Sequence, residues 1–471
     1  MAANYMSQFG VNLNEIISDV PGLSDVVDRL SSTAIYMISN VLLPSQQDYV
    51  DITISHGKIS AIEPHSPNHP GLSHVSGVID GKGGLLAPSL CHAHVHLDKC
   101  FLLQDEKYQD LTIVNGDFAE AMALTGQAKQ RFTEDDVFRR GKRLIEESIE
   151  AGVTSMRAFI EVDEVAETRS LQAGVKLKRQ FREQLEVQIC AFAQLAVYDD
   201  KQGEQRRAYI EEAAASEDVE VIGSTPYVED NQDKMKQCVK WSIELALRHQ
   251  KHLDFHLDYN IDPKQEALVW FVLEELKRQD WKAQALPSQK ICFGHCTRLT
   301  LFDQAEWQRL SVEIGDLPIS FVGLPTSDLF MMGRPDAADS QRPRATLQLP
   351  EMVEEYGLNC AMSINNIGNA FTPWGPVDPI SLISLGIGVY QTGTKQGVEV
   401  LYELVSSRAK AAIGSEGSLT RKIQAGEKAD FVLFLPPESH PERVPRSLAD
   451  VAYGLDPWTK RRTIFRGRLS H

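Results

Sequence analysis

The chain lacks the features that mark secreted and membrane-bound proteins. Its seven cysteines are an odd set without a Cys-x-x-Cys pair, and most stand in apolar, strand-like text. No stretch approaches the roughly 18 consecutive apolar residues of a membrane span. The first residues mix acidic and apolar side chains without a basic start, which argues against a signal peptide. We therefore expect buried free thiols, no membrane partner and a cytoplasmic location.

Positive charge is also scarce. Lys and Arg total 48 against 65 Asp and Glu, the formal net charge is −17, and no basic run occurs. Such a surface repels phosphate backbones and anionic lipid, so no nucleic-acid partner is expected. The 471 residues, 42% of them hydrophobic, are typical of a soluble enzyme with one large domain and a satellite. A small-molecule substrate is the expected partner.

Strand-like text at both chain ends predicts a small domain that the two ends share. Apolar and polar residues alternate along Tyr49–Ile62 on both sides of a turn at His56-Gly57, as in a hairpin. A similar strand-like segment occurs at Ala429–Leu435. We expect a small β-sandwich domain from residues 33–87 and 415–471, preceded by an N-terminal extension, 1–32, with an amphipathic helix over Val20–Leu30.

Residues 88–414 alternate apolar runs with amphipathic helices, the pattern of repeated βα units. One helix covers Glu134–Glu150 with a capping box of Thr133 and Asp136, and another opens at Asp262-Pro263. Eight apolar runs are the number that a closed parallel barrel needs, so the expected fold class is α/β, a TIM-like (β/α)8 barrel. The runs are Leu85–His96, Val153–Val162, Val187–Leu195, Val219–Ser224, His252–Asp258, Lys290–His295, Ile319–Leu324 and Asn359–Asn365.

Histidines end several of these runs. His94 and His96 are two apart on a strand, so both imidazoles point to the same side, at the strand end where barrel enzymes keep their chemistry. His256 ends the fifth run and is the predicted third ligand of one divalent ion. His295 ends the sixth run and is either a ligand or an acid/base that holds water. The alternative is a set of hydrogen-bonded structural histidines. His92, one step deeper on the strand, is expected either to support a ligand or to be structural.

A long polar insert, Lys99–Phe132, follows the first barrel strand and is a lid candidate. Lys99 itself follows His-Leu-Asp directly, and it serves either the lid or a substrate carboxylate. Asp98 is expected to accept a hydrogen bond from a ligand or a strand group.

The stretch Pro88–Asp98 resembles the amidohydrolase superfamily, in the branch of cytosine deaminase and N-isopropylammelide amidohydrolase. Further similar segments cover nearly the whole chain: Met156–Asp163, Ala191–Gln194, Phe330–Arg334, Phe371–Gly375, Arg408–Gly414 and Ala425–Asp430.

The resemblance implies one divalent metal ion, zinc or iron, bound by His94, His96 and His256. It also implies a metal-bound hydroxide that attacks a C=N or amide carbon while His295 orients or deprotonates the water. Gln194 would hold the substrate ring. Other candidate substrate-binding residues are Trp374, which could stack on a planar ring, Asn366 and Glu161. Members of the family often assemble, so a homo-oligomer is possible.

Two positions depart from this pattern. Tyr259 stands where the branch has a proton-shuttling glutamate, and Asn365 stands where it has a metal-binding aspartate. An amide oxygen can bind a metal but cannot accept a proton near neutrality. Three imidazoles without a carboxylate leave the full charge on the ion, which would acidify bound water below the ~7 typical of zinc. Tyr259, Asp258, Glu161 or His295 would then have to deliver protons.

Three hypotheses follow. The first is a metal-dependent hydrolase of a C–N bond in a cyclic amide, amidine or aminoheterocycle. The second is a catalytically degenerate binding or regulatory protein, which Asn365 and Tyr259 favour, because a fold alone does not prove activity. The third is a metal-assisted lyase or decarboxylase, in which water does not enter the product.

Overall fold

The computed structural model describes residues 33–44, 46–66, 76–334, 344–415, 423–454 and 459–471. The helix expected over Val20–Leu30 lies outside these ranges. Sixteen strands occur within them. In chain order they are β1 (Met37–Leu42), β2 (Tyr49–Ser55), β3 (Lys58–Pro64), β4 (Val78–Asp80), β5 (Leu85–Pro88), β6 (Leu90–His96), β7 (Val153–Glu161), β8 (Glu186–Ala193), β9 (Val221–Ser224), β10 (His252–Leu257), β11 (Ile291–His295), β12 (Ile319–Gly323), β13 (Cys360–Met362), β14 (Phe431–Leu435), β15 (Lys460–Phe465) and β16 (Arg468–Leu469).

Helices fill most of the connections between the barrel strands. The α-helices of the described ranges are α1 (Phe118–Lys129), α2 (Glu134–Glu150), α3 (Arg169–Phe181), α4 (Gly203–Ala214), α5 (Gln232–Arg248), α6 (Val269–Arg278), α7 (Trp281–Gln284), α8 (Gln304–Ile314), α9 (Pro325–Met331), α10 (Leu349–Glu354), α11 (Pro379–Val389), α12 (Lys395–Leu404), α13 (Ser407–Ile413) and α14 (Leu448–Ala452). In the part of the chain described, no helix is both long and apolar enough to cross a bilayer.

The two chain ends form one mixed sheet, as predicted. Its strand order is β16-β15-β14-β5-β1-β2-β3, and β4 pairs with β1. The β2–β3 hairpin turns at His56 and Gly57, whose φ angles of 52° and 71° suit glycine and are uncommon elsewhere. Ile38, Ile52 and Leu433 are buried in the core of this sheet. The domain boundaries at 87/88 and 414/415 stay a prediction.

Strands β6 to β13 form the predicted parallel barrel. Each pairs with the next in the order β13-β12-β11-β10-β9-β8-β7-β6. A parallel bridge between Val95 and Asn365 joins the two ends of this sheet. It uses main-chain bonds from His96 N to Asn365 O, 2.8 Å, and from Asn365 N to His94 O, 3.2 Å. Carboxyl ends of all eight strands therefore meet at one face.

The structure corrects two local predictions. The run Leu85–His96 is two strands, because Leu85–Pro88 pairs antiparallel with β14 in the small sheet and only β6 enters the barrel. The helix expected from Asp262-Pro263 begins at Val269 instead. The Asp258 carboxylate accepts hydrogen bonds from the Leu268 and Val269 amides there, at 2.7 and 3.0 Å.

Helix α2 has the bounds that the sequence predicts. It spans Glu134–Glu150, and the Thr133 hydroxyl accepts from the Asp136 amide at 3.3 Å. The second half of the expected capping box is replaced, because the Asp136 carboxylate accepts from Tyr108 and from Arg140. This carboxylate therefore fixes the lid segment to α2.

A buried ion pair crosses the barrel interior away from the histidines. Arg157 Nη1 lies 2.7 Å from Asp254 Oδ2, and both side chains are 0% exposed. The guanidinium also donates to the Gln188 amide oxygen and to the Ile413 carbonyl. The pair thus connects β7 and β10 with α13. Burial raises the pKa of Asp254 to about 7, although Arg157 lowers it in part.

Candidate active site

Three histidines meet at the carboxyl-terminal face of the barrel. His94 and His96 end β6 and His256 lies near the end of β10, and all are buried. His256 Nε2 is 3.1 Å from His94 Nε2 and 3.2 Å from His96 Nε2. Among the described residues, this is the one group of three or more potential ligands with all ligand atoms within 4.8 Å of each other. The structure thus brings together the three residues predicted from sequence.

The spacing of these nitrogens fits a shared divalent ion. Two nitrogens, each at about 2.0–2.1 Å from a tetrahedral ion, stand roughly 3.3 Å apart. A hydrogen-bonded cluster explains the arrangement less well, because one Nε2 proton cannot serve both neighbours fully. The Nδ1 atoms of all three rings are buried and have no partner among the described residues.

The protonation state also suits metal binding. Burial lowers the pKa of His94, His96 and His256 well below the ordinary histidine value, and nearby positive charges such as Lys99 add to the effect. The three imidazoles are therefore neutral at pH 7, as metal ligands must be.

Two phenylalanines hold the rings in place. The Phe159 ring stacks on His94 with centroids 3.9 Å apart, and Phe192 lies 4.4 Å from the His256 ring centroid. Sequence analysis did not identify Phe192 as a contact of the histidine cluster. Phe192 lies two residues before Gln194 and therefore on the same side of the extended chain. This spacing is the sequence signal that could have identified it.

Asn365 lies three residues beyond β13, at the bridge to Val95 that closes the barrel. Its backbone is left-handed, with φ 60°, and the residue is buried. The amide NH2 donates to Ser327 Oγ at 2.8 Å, and this bond fixes the orientation of the side chain. The amide oxygen is buried and unpartnered among the described residues, so it is a neutral oxygen donor available beside the histidines.

His295 ends β11 beside this cluster. Its Nδ1 lies 2.8 Å from Asp328 Oδ1, and the Tyr259 ring packs against it with centroids 4.0 Å apart. A carboxylate accepts, so Nδ1 donates and Nε2 is left as the acceptor in the neutral ring. Burial raises the pKa of Asp328, while His295 acts in the opposite direction. Sequence reasoning missed Asp328, because its partner is 33 residues away in the chain.

A buried charge network lies behind the histidines. Lys99 Nζ donates to Glu161 Oε1 at 2.6 Å and to Gln194 Oε1 at 3.1 Å. Lys129, the last residue of α1, donates to Glu161 Oε2 at 2.7 Å and also pairs with Asp163. Burial opposes ionisation, but the two ammonium groups outweigh it and lower the pKa of Glu161 to about 2. Both Glu161 oxygens are engaged, so this residue positions Lys99 rather than meeting a substrate as predicted.

Asp98 is part of the same network. Its Oδ2 accepts from the Glu161 amide at 2.9 Å, as expected of a group that orients strand atoms. Burial, together with the neighbouring Glu161 carboxylate, raises the pKa of Asp98 to about 6, although Lys99 lowers it in part.

The histidines open on a chamber of about 10 Å³, which is room for roughly one water molecule. Four aromatic rings close it: Phe118, Tyr227, Tyr259 and Phe371. The Phe118 ring lies about 6 Å from each of the other three, with centroid distances of 6.2, 6.0 and 5.8 Å. Phe118 begins α1 inside the predicted lid Lys99–Phe132, so the lid helix contributes directly to this roof. A groove of about 830 Å³ outside the roof shares Tyr227 and Tyr259 with the chamber.

Three sequence candidates lie elsewhere. Asp258, predicted as catalytic, caps helix α6 through both carboxylate oxygens and does not line the chamber. Trp374, predicted to stack on substrate, is 45% exposed and lies outside the chamber lining. His92 is buried with both ring nitrogens unpartnered among the described residues, and burial lowers its pKa to about 3. Gln194, Asn366 and Tyr259 do line the chamber.

The Asp258→Asn variant should show whether Asp258 caps helix α6 or takes part in catalysis. The amide retains one acceptor oxygen for the α6 amides, so we expect a loss of about 1 kcal/mol in the free energy of unfolding. Metal content and any turnover should stay within about twofold of the wild type. Urea denaturation and elemental analysis measure both, and a loss of turnover without a loss of stability would restore the catalytic assignment.

The fold and the site together define the structural class of this protein. It combines a parallel barrel, a histidine cluster at the carboxyl ends of the barrel strands, and a small sheet formed by both chain ends. A model of the amidohydrolase family matches residues 85–469. The chain belongs to the amidohydrolase family, and the protein is a hydrolase of that family.

Relatives agree with this assignment. N-isopropylammelide isopropyl amidohydrolase from Pseudomonas sp. (strain ADP) is 22% identical over 404 residues, covering 84% of this chain and 90% of the relative. The structure of 5-methylcytosine deaminase from Klebsiella pneumoniae with 5-fluorocytosine has a TM-score of 0.76 at 19% identity, covering 92% of this chain and 96% of that one. Atrazine chlorohydrolase from Arthrobacter aurescens complexed with zinc has a TM-score of 0.62 at 14% identity, covering 92% and 94%.

Proposed function

We propose that this hydrolase uses one divalent ion, zinc or iron, to hydrolyse a C–N bond in a cyclic amide, amidine or aminoheterocycle. The observation that carries the proposal is the convergence of three neutral Nε2 atoms at the carboxyl ends of β6 and β10. His94, His96 and His256 would hold the ion, with the Asn365 amide oxygen as a fourth donor. A divalent ion in such a site supplies a Lewis acid that makes water a nucleophile near neutrality. The relatives that act on ammelide and cytosine support a small nitrogen heterocycle.

A chamber of about 10 Å³ has no room for such a ring, so its entry would require Phe118 of the lid helix to move aside. The chamber walls would then provide groups that orient the ring. Lys99 uses two of its three protons on Glu161 and Gln194, and the third remains for a ligand. Gln194 accepts from Lys99 through its oxygen, and its side chain also hydrogen-bonds to Tyr227. Asn366 accepts from Asn369 at 2.8 Å through its oxygen, so its NH2 group is the free end.

Proton transfer falls to His295. Asn365 cannot take a proton, and burial raises the pKa of Tyr259 well above its ordinary value, so the phenol can only donate. His295, held by Asp328, accepts the proton that water loses when its oxygen bonds to the ring carbon. The same Nε2 proton then goes to the leaving nitrogen as the C–N bond breaks, which balances the reaction.

The test is turnover of a panel of cyclic amides, amidines and aminoheterocycles by protein reconstituted with zinc or iron, in water enriched in oxygen-18. Hydrolysis predicts release of ammonia or an amine, with one oxygen-18 atom in the ring product. Loss of carbon dioxide without label in the product would indicate the lyase reaction instead. Metal binding without turnover of any compound would mean that the Asn365 and Tyr259 changes have left a binding protein.

A further inference from the structure

One inward-facing position of the barrel, beside the histidine cluster, has no side chain. Gly294 on β11 pairs in register with His256 on β10, so the two residues face the same side of the sheet. A Cβ atom at Gly294 would lie 3.1 Å from His94 Cε1 and 3.2 Å from His94 Nδ1. Both distances are shorter than the roughly 3.5–4.0 Å of a comfortable contact between such atoms. The His94 ring therefore needs the space that a side chain at this position would take.

This space lets the His94 ring cross the interior of the barrel. His94 comes from β6, which is not a neighbour of β10 in the sheet. Its Nε2 nevertheless lies 3.1 Å from His256 Nε2. The ring also stacks on Phe159 of β7, with centroids 3.9 Å apart and planes inclined by 27°. Its position is thus bounded by the Phe159 ring and by the backbone at Gly294.

Hydrogen bonding does not orient the His94 ring in the way that is usual for a metal ligand. A metal-binding histidine commonly donates its second ring N–H to a carboxylate or a carbonyl oxygen, which fixes the orientation of the ring. The Nδ1 atom of His94 is buried and has no partner among the described residues. Packing is therefore the means by which this protein sets the direction of the His94 Nε2 atom.

No other feature of β11 requires a glycine at this position. The backbone of Gly294 is not left-handed, so a residue with a Cβ atom could adopt the same conformation. The next atom that a Cβ would meet is the Phe255 carbonyl oxygen at 3.6 Å, which is an ordinary contact. Glycine inside a strand weakens the strand, and it often marks a place where another group approaches closely. At Gly294 that group is the His94 ring.

We propose that Gly294, together with Phe159, is a positioning residue of the metal site: because it lacks a side chain, the His94 ring can lie where its Nε2 shares an ion with His256. The inference rests on the proposed function, because it requires that these histidines hold the ion. A methyl group at Gly294 would force the ring to move by a few tenths of an ångström. Metal–ligand distances are held to within about 0.2 Å, so this movement weakens the bond from His94.

The test is the zinc affinity of Gly294→Ala, measured by competition with a chromogenic chelator. We expect zinc to bind about tenfold to hundredfold more weakly than to the wild type, which is the range for changes in groups that orient a metal ligand. In cobalt-loaded protein, the visible absorption bands should shift, because they report the ligand geometry directly. A general loss of packing elsewhere in the barrel would not shift them.

Gly323→Ala is the matched control on the neighbouring strand, β12. Gly323 follows the register partner of Gly294, Val322, by one residue and therefore faces the other side of the sheet. A Cβ atom there would lie 2.7 Å from Leu349 Cδ1, and the three nearest atoms all belong to Leu349. This variant should lower the midpoint of urea denaturation through overpacking, while the zinc affinity and the cobalt spectrum stay unchanged.

The zinc content of the wild type, measured first, separates this inference from the proposed function. Wild-type protein that takes up neither zinc nor iron would overturn both. Wild-type protein that binds zinc, with a Gly294→Ala variant that binds it equally tightly, would overturn the positioning inference alone. If Gly294→Ala does not fold, as judged by circular dichroism, Phe159→Leu decides, because it removes the flat surface on the other boundary of the ring. An unchanged zinc affinity in that variant would show that packing does not position His94.

Discussion

Replacing His256 by alanine is expected to remove the bound ion and all turnover. His256 is the central residue of the proposed metal site, because its Nε2 lies 3.1 Å from His94 Nε2 and 3.2 Å from His96 Nε2. Two imidazoles and a neutral amide oxygen bind zinc more weakly than the three-histidine or two-histidine-plus-carboxylate sets of catalytic zinc sites. Inductively coupled plasma mass spectrometry should show metal falling from about one ion per chain to near zero.

His252→Ala is the matched control for this variant. His252 lies on the same strand, β10, four residues before His256 and at the opposite end of the strand from the cluster. Its Nδ1 accepts a hydrogen bond from the Lys290 amide at 2.9 Å. It should keep the metal and lose only a modest amount of stability. A His256→Ala protein that retains a full complement of metal would show that the ion binds elsewhere, and the proposed site would be abandoned.

Replacing Arg157 by methionine is expected to cause the largest loss of stability, about 3–5 kcal/mol in the free energy of unfolding. The variant leaves Asp254 buried without its partner and breaks the guanidinium bonds to Gln188 and Ile413. Urea denaturation monitored by circular dichroism measures the change. The double variant Arg157→Met with Asp254→Leu removes both charges and should recover much of the loss.

The size of this loss should depend on pH in a defined direction. The pKa of Asp254 in the folded protein is about 7, above the usual aspartate value, so stability from this group is full at low pH and is lost as pH rises through 7. Removing Arg157 raises that pKa further. The variant and the wild type therefore differ least near pH 6, where Asp254 is protonated in both, and most above pH 8. A deficit that shrinks as pH rises would contradict this account.

The barrel and the histidine cluster could be predicted from sequence because both depend on short-range patterns. Apolar runs of strand length, separated by helices, define the eight strands, and the two-residue spacing of His94 and His96 places both rings on one side. His256 ends a run, so it lies at the same face. None of these inferences required knowledge of where distant residues meet.

The remaining contacts of the site join residues that are distant in the sequence, so no local sequence pattern predicts them. Asp258 follows His256 by two residues, yet the late start of α6 turns its carboxylate to that helix. Glu161 ends a barrel strand, as a substrate-binding residue would, but Lys129 comes from the far end of the lid helix to engage it. Asp328 could be found only from the position of α9 relative to His295.

The bridge between Val95 and Asn365, which closes the barrel, also determines which side chains can stand at this position of the site. Asn365 closes the barrel with main-chain atoms alone, through His94 and His96, and its side chain takes no part. Its left-handed φ is tolerated mainly by glycine, asparagine and aspartate, and glycine would provide no ligand. The position therefore offers two working side chains of nearly equal shape, one charged and one neutral. Exchange between them would alter the charge at the proposed metal site by one unit while leaving the strands joined, so the reactivity of the site can change without a change in the barrel.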